Sequence, residues 1–209
     1  NYWFHNDHLL VEGKKMSKSE GNFFTLRDLI KKGYNPLAIR YLLFSSNYRQ
    51  QLNFTEKGIE AAQSSIDRLN DFILKIKRIK NKEGDNIEPI ISKTKEQFDK
   101  SMDDDLNISE ALSHLFDFVK DINILIDNDK ISNKDSDKII EFLTEINSII
   151  NVLNFKEDKI ESDIKKLVDE REKARNDKDF SKADKIRDQL LDKGYTLEDS
   201  EDGVIVKKK

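Results

Sequence analysis

Lys15-Met16-Ser17-Lys18-Ser19 is the stretch of this chain whose residue types and spacing could do chemistry. Two lysines three residues apart, separated by small or flexible side chains and bracketed by Gly13 and Gly21, describe a loop able to carry ammonium groups to a polyphosphate. Lys14 adds a third positive charge, with Glu12 and Glu20 as the acidic neighbours. A short basic run is also the composition of a solvated turn, so charge alone leaves both readings open. The chemistry open to such a loop is charge stabilisation. Phosphoryl transfers leave a protein little covalent work, and positioning with preorganised positive charge supplies most of the rate. A lysine that engages only near the transition state accelerates the step more than one that binds the ground state equally well.

The elements that position this loop follow from local pattern. Leu9-Leu10-Val11 predicts a short strand leading through Glu12-Gly13 into the loop, after a helix that ends over Tyr2 to His5. Tyr2, Trp3 and Phe4 read as packing residues, the usual role of a consecutive aromatic run. Thr25, with Asp28 three residues on, predicts a helix N-terminus, and Gly33 a stop. Asn35-Pro36 starts the next helix, since Pro at the first position gives up a donor that lacks a partner anyway. Its buried face is expected from Leu37, Tyr41 and Phe44, widened by Leu42 and Leu43, while Arg40 and Arg49 are placed either to meet phosphates or to pair with acids.

From Glu56 the period is helical, with Ile59, Ala62, Ile66, Leu69, Ile73 and Ile76 three or four apart. Gly84 and Pro89 mark residues 85–91 as a linker before a short helix over 92–101. Asp103-Asp104-Asp105 is not read as a metal site, because adjacent carboxylates point in different directions and do not readily converge on one ion. These acids are expected at a helix N-terminal region, where Asn107 caps and Glu110 reaches back. Ala111, Leu115, Phe118 or Val119, Ile122 and Ile126 predict one inner stripe; Ile139, Phe142 or Leu143, Ile146, Ile150 and Leu153 predict another. The polar run after Phe155 marks a boundary. Beyond it, Ile160, Ile164, Leu167, Val168 and Ala174 predict one helix. Ala183, Ile186, Leu190 and Leu191 predict a second, capped within 181–184 and ended by Gly194. Tyr195 to Leu197 and Val204 to Val206 predict a hairpin turned at Asp202-Gly203. So few apolar side chains predict a marginal core for this last part.

The five-residue string resembles the KMSKS signature of the class I aminoacyl-tRNA synthetases. Residues 1–6, 21–28, 48–54 and 101–107, with Arg171, Arg175, Asp184 and Arg187, resemble the cysteinyl-tRNA synthetases within that class. The likeness runs over essentially the whole chain and is weakest near 80–95 and 127–137. Glu20 stands where another side chain often follows the signature. The resemblance implies a mainly α fold: residues 1–22 as the end of a Rossmann-type catalytic domain with its KMSKS loop, 23–55 as a helical stem-contact region, 56–156 as an antiparallel anticodon-binding helix bundle, and 157–209 as a small α+β anticodon-recognition module with a β-hairpin. It implies an enzyme that joins cysteine to ATP, held with Mg2+, as an adenylate and passes it to tRNA(Cys), forming AMP and pyrophosphate.

By the same resemblance Lys15, Met16, Ser17, Lys18 and Ser19 form the ATP-binding loop, with Lys18 stabilising charge on the departing pyrophosphate. His5 would lie near the aminoacyl pocket. Arg175, Phe180, Asp184 and Asp199 would meet the anticodon, Phe180 standing where many family members carry Trp. An aromatic can stack on an unpaired base while Arg and Asp pair with base edges. The family's HIGH motif and the ligands of its zinc ion would lie upstream of Asn1, so this segment alone is expected to be inactive and to hold no metal. Two alternatives stand beside this reading. One is a cysteine ligase acting on an amino sugar, whose small acceptor needs no reach to an anticodon; the other is a non-catalytic tRNA-binding protein, against which the intact Lys15 and Lys18 argue.

Composition sets the outer bounds. The 209 residues suffice for one or two small domains, and 37% charged with only two Pro and seven Gly favours long amphipathic helices. The absence of Cys rules out a disulfide framework or thiolate zinc site in the chain, and no apolar run reaches membrane-spanning length. A cytoplasmic monomer is expected. Net charge is −4, distributed unevenly: residues 1–50 carry eight Lys/Arg against four Asp/Glu, and residues 51–155 carry fourteen against twenty-one. The positive end is the loop end. Lys75 to Lys82, with five basic residues and no acid, reads equally as an RNA patch or a solvated helix end.

Overall fold

The computed structural model describes residues 3, 5–156, 162–200 and 203–208. It divides into two compact units, Asn1–Phe155 and Lys156–Lys209.

In the first unit three two-residue strands form one small sheet. β1 (Leu10–Val11) lies between β2 (Lys14–Lys15), antiparallel to it, and β3 (Asn53–Phe54), parallel to it. Among the described residues of this unit there are six helices: α1 (Leu26–Lys31) and α2 (Pro36–Phe44) between β2 and β3, then α3 (Glu56–Lys77), α4 (Glu88–Asp103), α5 (Ile108–Ile126) and α6 (Asn133–Ile150). Side chains cap most of their N-termini. Thr25 and Asp28 form a reciprocal capping box on α1, Ser132 and Asp135 another on α6, and Thr55 and Asn107 cap α3 and α5. All six stripe positions expected on α3 are buried, and Phe118 of α5 packs edge-on against Phe72 and Phe142, at 6.3 and 4.9 Å between ring centres.

Tertiary packing corrects several local expectations. Trp3 and His5 belong to no helix, and Trp3 is 88% exposed instead of packed; Tyr2 and Phe4 lie outside the described residues. On α2 the buried face is Ala38, Ile39, Tyr41 and Leu42, while Leu37 and Leu43 turn outward. α4 begins inside the expected linker, with Pro89 in its first turn, where Pro is tolerated. Asp103 ends α4 and Asp104 caps its C-terminus, so the acids precede a turn and do not open a helix. That turn needs positive φ at Asp105 and Leu106, 53° and 56°. Asp105 is held there by Arg49 Nε at 2.7 Å and by the Tyr48 hydroxyl, which donates at 2.6 Å. These contacts hold the Asp105 carboxyl below the usual carboxylate range, the Tyr48 bond contributing most.

The second unit packs α7 (Ser162–Asn176) and α8 (Phe180–Asp192) against a hairpin of β4 (Tyr195–Ser200) and β5 (Gly203–Lys208). Ile164, Ile186, Leu190 and Tyr195 form its buried centre. Asp179, not the stretch 181–184, caps α8 by accepting from Lys182 N. Gly194, at φ 82°, ends that helix. Ser200 pairs with Gly203. The expected turn residue Asp202 and the helix position Ile160 lie outside the described residues. Among the described residues no helix is long and apolar enough to cross a membrane.

Candidate functional site

The lysine stretch is half strand and half loop. Glu12 and Gly13, at φ 48° and 77°, make the two-residue turn between β1 and β2, a conformation that matches strand twist. Lys14 and Lys15 occupy β2 itself, with side chains exposed. The turn is anchored from the far side of the sheet: Glu12 N donates to Phe54 O at 3.0 Å, and Gly13 N donates to Asn53 Oδ1 at 2.8 Å. Glu12 Oε1 accepts from Glu56 N at 3.1 Å, placing a carboxylate on the first turn of α3, where the helix dipole favours it.

Beyond β2, Met16 N donates to Leu9 O at 3.0 Å and the Met16 side chain packs on the core. The chain then rises into solvent. Ser17 Oγ sits 3.1 Å from Ser19 Oγ and accepts from Glu20 N at 3.2 Å, while Gly21 N returns to Lys18 O at 3.3 Å. Lys18 is exposed, and its ammonium lies 5.6 Å from the centre of the half-exposed Phe23 ring. Among the described residues no carboxylate pairs with Lys14, Lys15 or Lys18. Three ammonium groups on one hairpin and its loop, without a carboxylate partner among the described residues, form an anion-attracting surface. His5, also exposed, stacks on Trp3 at 6.4 Å, and among the described residues no hydrogen bond or ion pair joins it to residues 15–19.

In the second unit Arg175 and Phe180 flank the turn from α7 to α8. Asp177, Lys178 and Asp179 N–H groups close that turn on the carbonyls of Lys173, Arg175 and Ala174, with Lys178 at φ 60°. Phe180 opens α8 and is 63% exposed; Asp184 lies one turn further on the same face, 3.7 Å from an Arg187 guanidinium nitrogen. Arg175 thus lies one residue before the end of α7, while Phe180 and Asp184 lie in the first two turns of α8. Asp199 lies apart from them in sequence, in β4 opposite Val204, and its side chain lies outside the described ones.

The two arginines that stood between phosphates and acids divide. Arg49 pairs with Asp105, whereas Arg40 Nε donates to Ile150 O at 2.9 Å, closing the C-terminus of α6. In the 75–82 run, Lys75 bonds Asp127 at 2.8 Å and Lys77 donates to Phe155 O, so part of that charge is committed internally. Sequence reasoning missed Glu12, Asn53 and Asn22, whose polar side chains shape the lysine hairpin and loop. Asn22, one residue past the loop glycine, carried a local hint; Asn53, forty residues away, carried none.

Residues 1–64 match the family of class I (C) tRNA synthetase catalytic domains, 97–155 the DALR domain, and 157–206 the cysteinyl-tRNA ligase anticodon binding domain. Matched end to end, the chain is 46% identical to the cysteine–tRNA ligase of Brachyspira hyodysenteriae, over 100% of this chain and 46% of the relative. The chain belongs to the cysteine–tRNA ligase family. The ligase of Protochlamydia amoebophila is 41% identical over 100% of this chain and 44% of its own length, and that of Chlamydia felis 44% identical over 99% and 44%. The chain therefore spans less than half the length of these curated relatives. Within the family frame, the lysine hairpin falls in the catalytic-domain match, and Arg175, Phe180 and Asp184 fall in the anticodon-binding match.

Proposed function

We propose that this chain is the C-terminal part of an enzyme that activates cysteine with ATP and transfers it to tRNA(Cys), releasing AMP and pyrophosphate. The observation that carries the reading is Lys18: an exposed ammonium without a carboxylate partner among the described residues, on a short loop anchored to a sheet. In adenylate formation the cysteine carboxylate attacks the α-phosphorus of ATP and pyrophosphate leaves with its negative charge. Lys18 meets that developing charge, and Lys14 and Lys15 raise the local positive potential. Mg2+ held with ATP supplies further charge neutralisation. Residues 1–22 then serve as the loop end of the catalytic domain, 23–55 as the stem contact, 56–156 as the bundle, and 157–209 as the anticodon reader through Arg175, Phe180, Asp184 and Asp199.

His5 is assigned near the aminoacyl pocket on the family resemblance alone. Among the described residues no three His, Asp or Glu side chains group as metal ligands. Zinc ligands and the HIGH motif are assigned to segments outside this chain, which by itself is then inactive. The protein is proposed to act as a cytoplasmic monomer.

The test is amino-acid-dependent ATP–pyrophosphate exchange by the full-length protein, across all twenty amino acids, with Lys18→Ala alongside. Cysteine alone should drive exchange. The variant should lose about 100-fold or more in kcat, the scale seen for deleting one transition-state donor, with tRNA(Cys) affinity unchanged. Exchange driven by a different amino acid, or equal losses in exchange and tRNA binding, would count against the reading.

A further inference from the structure

Asn22 makes a bond pattern that a side chain rarely supplies. Its Nδ2 donates to Lys15 O at 3.1 Å, and its Oδ1 accepts from Ser17 N at 2.9 Å. These are the carbonyl before Met16 and the N–H after it. A residue in a neighbouring parallel strand would satisfy the same two groups, so the Asn22 amide stands in for a strand where the small sheet has none. The side chain is half-buried, and it closes the base of the loop from 17 to 21. Inside that loop the main chain makes one bond of its own, the 3.3 Å contact from Gly21 N to Lys18 O, and the rest are serine hydroxyl contacts. The fixed point from which Lys18 departs is therefore the Met16 backbone, clamped between Leu9 O and the Asn22 amide.

We infer that Asn22 is the positioning residue of the lysine loop: its amide holds residues 15–17 extended, so that Lys18 reaches the leaving pyrophosphate from a preset origin. The inference rests on the role of Lys18 given above. Asn22 touches no substrate and acts through the backbone. Its loss leaves the three ammonium groups in place and frees the path that presents one of them. A displacement of that size is felt in the chemical step more than in ground-state binding.

The experiment uses the full-length protein with Asn22→Ala, Asn22→Asp and Lys18→Ala, measuring cysteine-dependent pyrophosphate exchange, melting temperature and the rate of tryptic cleavage after Lys15 and Lys18. Asn22→Ala is expected to lower kcat ten- to a hundredfold with KM for cysteine unchanged within twofold, and to speed cleavage severalfold at an unaltered melting temperature. Asn22→Asp keeps the acceptor for Ser17 N and loses the donor to Lys15 O, and should recover part of both effects. Wild-type kcat in Asn22→Ala overturns the inference, as does a loss that follows a lowered melting temperature with cleavage unchanged. Should Lys18→Ala prove fully active, the Lys18 reading fails first, and the cleavage rates then show separately whether Asn22 holds the loop.

Discussion

Phe180 presents a large apolar ring to solvent at the first position of α8, while the buried cluster of that unit is Ile164, Ile186, Leu190 and Tyr195. An exposed aromatic one turn before Asp184 suits an unpaired base, because every base has a face to stack on and stacking is worth about 1–3 kcal/mol per base. Phe180→Ala is thus expected to weaken tRNA(Cys) binding by roughly 5- to 150-fold by that same stacking energy, while Phe180→Trp retains it. A filter-binding or fluorescence titration of the full-length protein checks both, with melting temperature as the control for folding. Unchanged affinity in Phe180→Ala would remove Phe180 from the proposed anticodon contact. At this scale the sequence showed residue types and their spacing, so Lys15, Lys18 and the Thr25–Asp28 cap were legible. The partners of Arg40, Arg49 and Asn53 were not, because Ile150, Asp105 and Gly13 are brought to them only by the fold.

Among the elements, α3, α5 and α6 were readable because each carries an unbroken apolar stripe at helical spacing. The connection from α3 to α4 was not, because what fixes it is a close approach with no periodic signature. Gly84 sits against the start of α6: a Cβ there would lie 2.5 Å from both Ser132 N and Asp135 Oδ2, and 2.9 Å from Lys130 O. Two of those three atoms are backbone, and Asp135 is already engaged in the Ser132 capping box, so little can move aside. The neighbouring bond from Asp85 N to Lys130 O, 2.7 Å, ties the same crossing together. Gly84→Ala should therefore destabilise the first unit by about 1–3 kcal/mol, the usual cost of overpacking, despite lying in an exposed connection. The midpoint of urea unfolding reports this directly; a midpoint equal to that of the parent would mean the connection can shift away from α6. Pro89 and the Asp103–Asp105 run misled for a related reason. Each is a residue type with a strong local preference that a turn or first helical turn accommodates here.

Across the whole molecule the two units differ in what holds them together. The first buries Ile66, Leu69, Ile73, Ile76, Leu115, Phe118, Ile122, Ile139 and Leu143 almost completely in one contiguous core, whereas the second, among the described residues, centres on the small cluster of Ile164, Ile186, Leu190 and Tyr195 with Leu167, Val168, Leu197 and Val206 around it, and otherwise buries only Ala174 and Ala183 among its apolar side chains. Each fully buried aliphatic or aromatic side chain contributes roughly 1.5–3 kcal/mol from area removed from water, so the second unit has far less to set against the entropy of ordering its chain. The sparse apolar pattern after Phe155 already indicated this. Small cores open at lower free energy, and α7 and α8 should exchange their amide hydrogens through local opening well before α3 and α5 do. Hydrogen exchange followed by mass spectrometry on this chain should give protection in α8 at least tenfold below that in α3, a difference of about 1.4 kcal/mol in opening free energy. Binding of tRNA(Cys) to the full-length protein should then raise protection in α7 and α8 selectively, since a ligand that binds the closed form stabilises it by mass action. Equal protection in both units would show that the second draws stability from beyond its own core, and a rise confined to the first unit would place the RNA away from Phe180.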